Sequence, residues 1–128
     1  MPVAGNLIDR SHQIHRWLSS KWITPYPTEL KWVAKLETKT ASKGIDKRHY
    51  GEVYLRNRKL FIRLSKELCG HNYDTMIKIL IHEYAHAMDW RHCRMKIDKD
   101  HPRAWGMYYA DIYDSFYDGN GYEESIEF

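Results

Sequence analysis

Apolar residues recur at near-helical spacing at the start of the chain. Leu7, Ile14, Trp17 and Leu18 follow this spacing, which is typical of a helix that packs one face against a core. Two prolines shortly after them end any helix that precedes them. The pattern predicts an N-terminal helix over residues 6–22.

Alternating apolar and polar residues predict three β-strands. Residues 30–38 mostly alternate between the two classes, as in a half-buried strand. Residues 50–55 and 60–64 are two further runs rich in strand-forming residues, and the basic segment Arg-Asn-Arg-Lys separates them. That spacing predicts a hairpin closed by a strongly basic turn. Three successive strands of this kind predict a small antiparallel sheet.

Two more helices are predicted in the second half of the chain. Asn72 or Asp74 can cap a helix that runs to about Asp89, because their side chains accept hydrogen bonds from the first free N–H groups. Pro102 suits the first turn of a later helix that ends near Gly119. The apolar stripe of this last helix consists of Trp105, Tyr108, Ile112 and Phe116.

The order of these elements predicts an α+β fold. One helix, three strands and two helices within 128 residues fit a single domain with one core. No repeat, low-complexity tract or internal linker divides the chain, so residues 1–128 are expected to form one domain. Residues 119–128 are expected to form a flexible tail.

Composition narrows the class of protein. The chain is 43% hydrophobic and 29% charged, with an aromatic share of 14%, which is typical of a globular protein with an aromatic core. No apolar run reaches the roughly 18 to 20 residues that span a bilayer, and the N-terminal residues lack the features of a signal peptide. A cytoplasmic protein without a membrane partner is therefore expected.

The two cysteines, Cys69 and Cys93, are far apart in the sequence and form no CxxC pair. They cannot build a cysteine zinc ribbon or a disulfide framework. Two free, buried thiols are a simpler interpretation than a disulfide bridge.

Charge is distributed unevenly along the chain. Residues 1–70 hold 14 Lys and Arg against 6 Asp and Glu, whereas residues 71–128 hold 6 against 11. A basic surface attracts phosphate backbones, so DNA is a candidate partner of the basic N-terminal half. A merely solvated surface is the alternative, and no recognised nucleic-acid-binding motif decides between the two.

Residues 82–86 read His-Glu-Tyr-Ala-His, which is the HExxH pattern. In a helix, His82 and His86 lie one turn apart on one face and can bind one metal ion, whereas Glu83 lies to the side of that face. Zinc lowers the pKa of bound water, and a neighbouring carboxylate can take the proton. The motif predicts zinc ligands at His82 and His86 and a catalytic base at Glu83.

The residues around the motif favour a metal site over two structural histidines. Helical geometry places apolar side chains around most of residues 76–88. The remaining strip consists of Thr75, Lys78, His82, His86 and Asp89. A largely buried helix whose polar strip carries two histidines is better explained by a metal cleft than by a solvated face.

A catalytic zinc needs a third protein ligand, and the sequence offers two candidates. His92 completes the spacing HxxxHxxxxxH, but that spacing normally uses a glycine to turn the chain, and Asp89 stands in its place. His101 follows a polar linker and directly precedes Pro102, so a returning helix could bring it to the metal. The start of the next helix favours His101.

Other polar residues have less specific interpretations. Asp89 either orients a ligand imidazole or faces solvent at the end of its helix. A tyrosine of the last helix, Tyr108, Tyr109 or Tyr113, could donate a hydroxyl to a reaction intermediate, but core packing is the simpler interpretation. The remaining histidines are expected at the surface or in hydrogen bonds: His12, His15, His49 and His71.

Three segments resemble a known family. ILIHEYAHAMDW and DKDHPRAWGMYY, at residues 79–90 and 98–109, resemble the SprT-like (Spartan) metallopeptidase domain, and residues 48–68 resemble the strand pair that precedes its active-site helix. The resemblance covers roughly residues 28–117. It implies a zincin-like minimal domain, which together with the predicted elements consists of an N-terminal helix, a three-stranded antiparallel sheet, the HExxH helix and a C-terminal helix. It also implies zinc held by His82, His86 and His101.

The motif and the resemblance together predict a zinc-dependent endopeptidase with Glu83 as general base. An exposed edge strand is expected to hold a protein or peptide substrate in extended form, and the resemblance implies DNA-associated proteins as substrates. One alternative is a non-enzymatic nucleic-acid-binding protein with a structural zinc, although such a site needs no base beside the metal. Another is a zinc hydrolase of a different bond; the absence of a P-C-x-x-C segment argues against a deaminase.

Overall fold

The computed structural model describes residues 4–36, 50–90 and 103–117, and these contain three helices and a three-stranded sheet. The elements in chain order are α1 (Ala4–Lys21), β1 (Thr28–Val33), β2 (Gly51–Arg56), β3 (Lys59–Ser65), α2 (Tyr73–Met88) and α3 (Arg103–Tyr117). A short 3-10 helix, Lys66–Gly70, connects β3 to α2. The predicted α+β class is confirmed.

The sheet is mixed, so the prediction of a purely antiparallel sheet is wrong. The strand order is β1-β3-β2, with β2 antiparallel and β1 parallel to β3. β3 is central because Leu60, Ile62 and Leu64 give it a fully buried apolar face, and charged, partly exposed strands are better suited to the edges. Residues 34–50 separate β1 from β2, a connection long enough for β1 to pair with the other side of β3.

The predicted hairpin of β2 and β3 is confirmed. Arg56 pairs with Lys59, and the two residues between them, Asn57 and Arg58, have positive φ angles of 52° and 61°. Two successive left-handed residues are typical of a type I′ turn, whose twist matches that of the flanking strands. The basic turn therefore sets the register of the hairpin.

The first strand is shorter and starts earlier than predicted. Its predicted range was residues 30–38, whereas β1 spans Thr28–Val33. Leu30 is buried, whereas Ala34 is exposed. The alternating pattern in the sequence therefore extends beyond the strand itself. β1 ends at Val33, because Val33 pairs with Ser65, the last residue of β3.

α2 occupies the centre of the described structure and contacts α1, α3, β2 and β3. Its predicted apolar sides are buried on these neighbours. All four apolar residues predicted for α1 are buried. In α3, only Ile112 and Phe116 of the predicted apolar stripe are buried. The buried side chains from the three helices include Leu7, Ile14, Trp17, Leu18, Met76, Ile77, Leu80, Ile81, Tyr84, Ala87, Ile112 and Phe116.

Some predictions fall on residues outside the described ranges, namely those for His49, His92, Cys93, His101 and the tail at 119–128. Cys69 is a free thiol and is partly exposed rather than buried. Among the described helices, none combines the length and the hydropathy required to cross a bilayer.

Candidate metal centre

Both ends of α2 are fixed by capping hydrogen bonds. The Asn72 side chain accepts hydrogen bonds from the backbone N–H of Thr75 at 2.9 Å and from its hydroxyl at 2.8 Å. At the other end, the Asp89 N–H donates to the Ala85 carbonyl at 3.1 Å. Asp89 has φ −100° and ψ 31°, so the left-handed turn that the spacing to His92 normally uses is absent.

The structure brings His82 and His86 together as the HExxH spacing predicts. Their Nε2 atoms lie 3.2 Å apart and their ring centroids 4.9 Å apart. Two nitrogens bound to one tetrahedral zinc at about 2.0 to 2.1 Å are about 3.3 Å from each other. The imidazole pair therefore has the chemistry and the spacing of two ligands of a common zinc ion.

Glu83 lies beside the histidine pair and is largely enclosed. Only 8% of the residue is exposed, and its Oε2 lies 3.9 Å from His82 Nε2. Burial, and after it the nearby carboxylate of Glu52, raise the pKa of Glu83 to about 8. A cation at the histidines would act in the opposite direction. The site thus holds a carboxyl group next to two imidazole nitrogens.

α3 covers the histidine pair with an aromatic ring. The Trp105 ring centroid lies 5.0 Å from that of His82 and 5.4 Å from that of His86. Its Nε1 donates a hydrogen bond to the His82 backbone carbonyl at 3.1 Å. Tyr109 stacks on Trp105 with centroids 5.1 Å apart. Sequence reasoning placed Trp105 in an apolar stripe, whereas the structure places it against both imidazoles.

β2 forms the other side of an open cleft of about 380 Å³ in front of the histidines. It is an edge strand of the sheet, with β3 on one side, and it contacts α2. An extended peptide can add to such an edge through backbone hydrogen bonds. The cleft is lined by Gly51, Glu52, Val53, His82, Glu83, His86 and Trp90. Gly51 and Glu52 were not singled out from the sequence, because nothing local marks a strand residue that faces a distant helix.

The other predicted polar residues lie in different surroundings. Asp89 is 4% exposed, so it does not face solvent at the helix end. His15 Nε2 lies at hydrogen-bond distance, 2.8 Å, from the Thr28 hydroxyl, and His71 is exposed at the surface with its ring edge-on against Tyr50, as predicted for these two histidines. Tyr108 and Tyr109 are half-buried.

Within residues 4–36, 50–90 and 103–117, no group of three or more His, Cys, Asp or Glu side chains is arranged to hold a metal ion. The candidate site described by the structure is the histidine pair with Glu83. His101, the predicted third ligand, lies outside the described residues.

Comparison with known proteins gives one match. A family model, the SprT-like family, matches residues 14–126. This range includes the sheet, the helix with both histidines and the helix that carries Trp105. No curated protein and no solved structure matches the chain.

Proposed function

Because the chain belongs to the SprT-like family, we propose that it is a zinc-dependent endopeptidase with a zincin-like site. The observation that carries this proposal is the 3.2 Å distance between the Nε2 atoms of His82 and His86, with the Glu83 carboxylate 3.9 Å from one of them. Two nitrogen donors at ligand spacing and an adjacent base are what metal-assisted hydrolysis requires.

His101 is proposed as the third ligand. α3 begins at Arg103 and brings Trp105 onto both imidazoles, so the start of this helix lies near the histidine pair. A histidine two residues before the helix is therefore close in sequence to a segment that already contacts the site.

The proposed roles follow from the positions of the side chains. When bound, zinc would polarise the scissile carbonyl and lower the pKa of a water molecule. Glu83 takes a proton from the attacking water and delivers it to the leaving amine. The edge of β2 binds the peptide in extended form, which places the backbone of the substrate between this strand and the histidines.

The experiment that tests the function compares the wild-type chain with Glu83→Gln and His86→Ala on an unfolded protein substrate. Glu83→Gln should keep its zinc and lose cleavage by about 10²- to 10⁴-fold, the usual contribution of a general base. His86→Ala should lose both zinc and cleavage. Cleavage by the metal-free wild-type chain, or undiminished cleavage by Glu83→Gln, would refute the assignment.

DNA is proposed as a partner through the outer face of the sheet, with DNA-associated proteins as the substrate class. This face combines cations with stacked rings: Tyr54 and Phe61 stack 5.3 Å apart, Lys31 Nζ lies 4.8 Å above Phe61, and Arg63 lies 5.0 Å above Tyr54. Two glutamates offset part of the charge, since Glu29 pairs with both Lys31 and Lys59 and Glu52 pairs with Arg63. Cations next to aromatic rings are typical of surfaces that bind single-stranded nucleic acid.

Salt-dependent binding of single-stranded DNA tests this partner. Replacing Lys31 and Lys59 with alanine should weaken binding and reduce the salt slope by about 0.7 for each lost phosphate contact. DNA binding without any proteolysis would favour the alternative, a non-enzymatic nucleic-acid-binding protein with a structural zinc.

The single-domain organisation and the cytoplasmic location stay predictions of the sequence.

A further inference from the structure

β2 approaches the proposed catalytic base at Gly51. A Cβ atom at this position would lie 2.8 Å from Ile79 Cγ2, 3.0 Å from Glu83 Cγ and 3.3 Å from Glu83 Oε2. The backbone φ of Gly51 lies outside the left-handed region. The glycine is therefore required by the close approach of strand and helix and not by its own backbone conformation.

The strand cannot easily move away from the helix to accommodate a side chain. Gly51 pairs with Leu64 of the central strand, and the Ser65 N–H donates to the Tyr50 carbonyl at 2.9 Å. Leu64 is fully buried. A shift of β2 would disturb these hydrogen bonds and the packing behind them. Side chains of α2 would therefore have to move instead.

On the helix side, the side chains nearest such a Cβ are those of Ile79 and Glu83, and both would have to move. Ile79 packs against the core, whereas the Glu83 side chain lines the cleft and can turn into it. A methyl group at position 51 would push the Glu83 side chain by rotation about its own bonds. That rotation would take the carboxylate away from its position beside His82.

We propose that Gly51 is a positioning residue: the absence of a side chain lets the edge strand press against Glu83 and hold its carboxylate beside the histidine pair. This inference rests on the proposed function for its consequence in catalysis. The strand that binds the substrate backbone then also sets the position of the base, so that the scissile bond and the proton acceptor are held by the same element.

The test is Gly51→Ala, with Gly70→Ala as the matched control, because a Cβ at Gly70 meets nothing within 4 Å. Gly51→Ala should bind one zinc per chain with unchanged affinity in chelator competition, since the three atoms nearest a Cβ at this position belong to Ile79 and Glu83 and not to a histidine. Its kcat should fall by about 10- to 100-fold with little change in KM, which is the usual effect of displacing a catalytic group by about 1 Å. Gly70→Ala should match the wild type.

A double-variant cycle separates positioning from general packing. In the Glu83→Gln background, Gly51→Ala should cause no further loss of kcat, because the group it displaces is already inactive. Adding Ile79→Ala removes the 2.8 Å contact but keeps the contact with Glu83, so the loss should persist and the chain should fold even if the single variant does not. Full recovery of kcat when Ile79→Ala is added to Gly51→Ala would overturn the proposal. So would a loss of kcat on adding Gly51→Ala to Glu83→Gln that is as large as the loss in the wild type.

A structural readout is independent of activity. In a crystal structure of metal-free Gly51→Ala, the distance from Glu83 Oε2 to His82 Nε2 should exceed 3.9 Å, and an unchanged distance would overturn the proposal. If the wild-type chain shows no zinc-dependent cleavage, the proposed function fails while this displacement still decides the positioning role. If the wild type cleaves and Gly51→Ala cleaves equally well, only the positioning role fails.

Discussion

The indole N–H of Trp105 donates a hydrogen bond to the backbone carbonyl of His82 at 3.1 Å. This bond joins α3 to the turn of α2 that carries the first histidine of the pair. Since the same indole also packs on both imidazole rings, one residue restrains the backbone and the side chains of the candidate ligands. Contacts of this kind orient metal ligands and raise their affinity for the ion.

Replacing Trp105 with phenylalanine should lower zinc affinity by about 10-fold, because the ring contact is kept while the hydrogen bond to His82 is lost. Chelator competition with a zinc indicator measures this change. Met107→Ala on the same helix is the control, since Met107 is 67% exposed and should leave zinc affinity unchanged. Equal affinities for Trp105→Phe and the wild type would contradict the orienting role.

The third ligand can be assigned by comparing His101→Ala with His92→Ala. His101→Ala should lose the zinc or bind it far more weakly, because a catalytic zinc needs three protein ligands. His92→Ala should keep one zinc per chain. Metal analysis of the two purified variants measures the difference, and loss of zinc from His92→Ala alone would reverse the assignment.

The contribution of His15 to stability should fall as the pH drops below 6.5. Burial, followed by the nearby charges of His12 and Arg16, lowers the pKa of His15 from 6.5 to about 4. The unfolded chain binds this proton more readily, so the contribution is fully present above pH 6.5 and is lost as the pH falls toward 4. A shift of this size corresponds to ~3 kcal/mol.

Urea unfolding of the wild type and His15→Gln at several pH values between 7 and 4 measures that contribution. Glutamine can still form a hydrogen bond with Thr28 but does not titrate, so the free energy of unfolding of the wild type should fall relative to that of His15→Gln as the pH drops from 6.5 towards 4. Parallel curves for the two proteins would show that His15 is not the source.

Arg58→Gly should stabilise the fold by about 0.5 to 1 kcal/mol, because Arg58 has a positive φ of 61° and glycine adopts that conformation without steric strain. Chemical denaturation measures the change. Arg58→Ala removes the same charge but keeps the Cβ, so it should bring no such gain. A gain of equal size from alanine would attribute the effect to charge and not to the turn.

The sequence by itself determined the features that depend on neighbouring residues. The spacing of His82 and His86 predicted their common face, and the candidate caps Asn72 and Asp74 predicted the start of their helix to within two residues, because one turn of helix and one cap are local structures. The same holds for the hairpin, whose turn is set by two residues between two short strands. These predictions needed no knowledge of what the elements would pack against.

Only the tertiary structure decided how the elements meet. β1 runs parallel to β3, Trp105 reaches a carbonyl 23 residues away, and Gly51 lies against Glu83. Periodicity identifies the buried side of a strand or helix but does not specify its partner, its direction or its distance. Those follow from packing all the apolar faces into one core at once, which is why the neighbours of the histidine pair could not be predicted from their own segments.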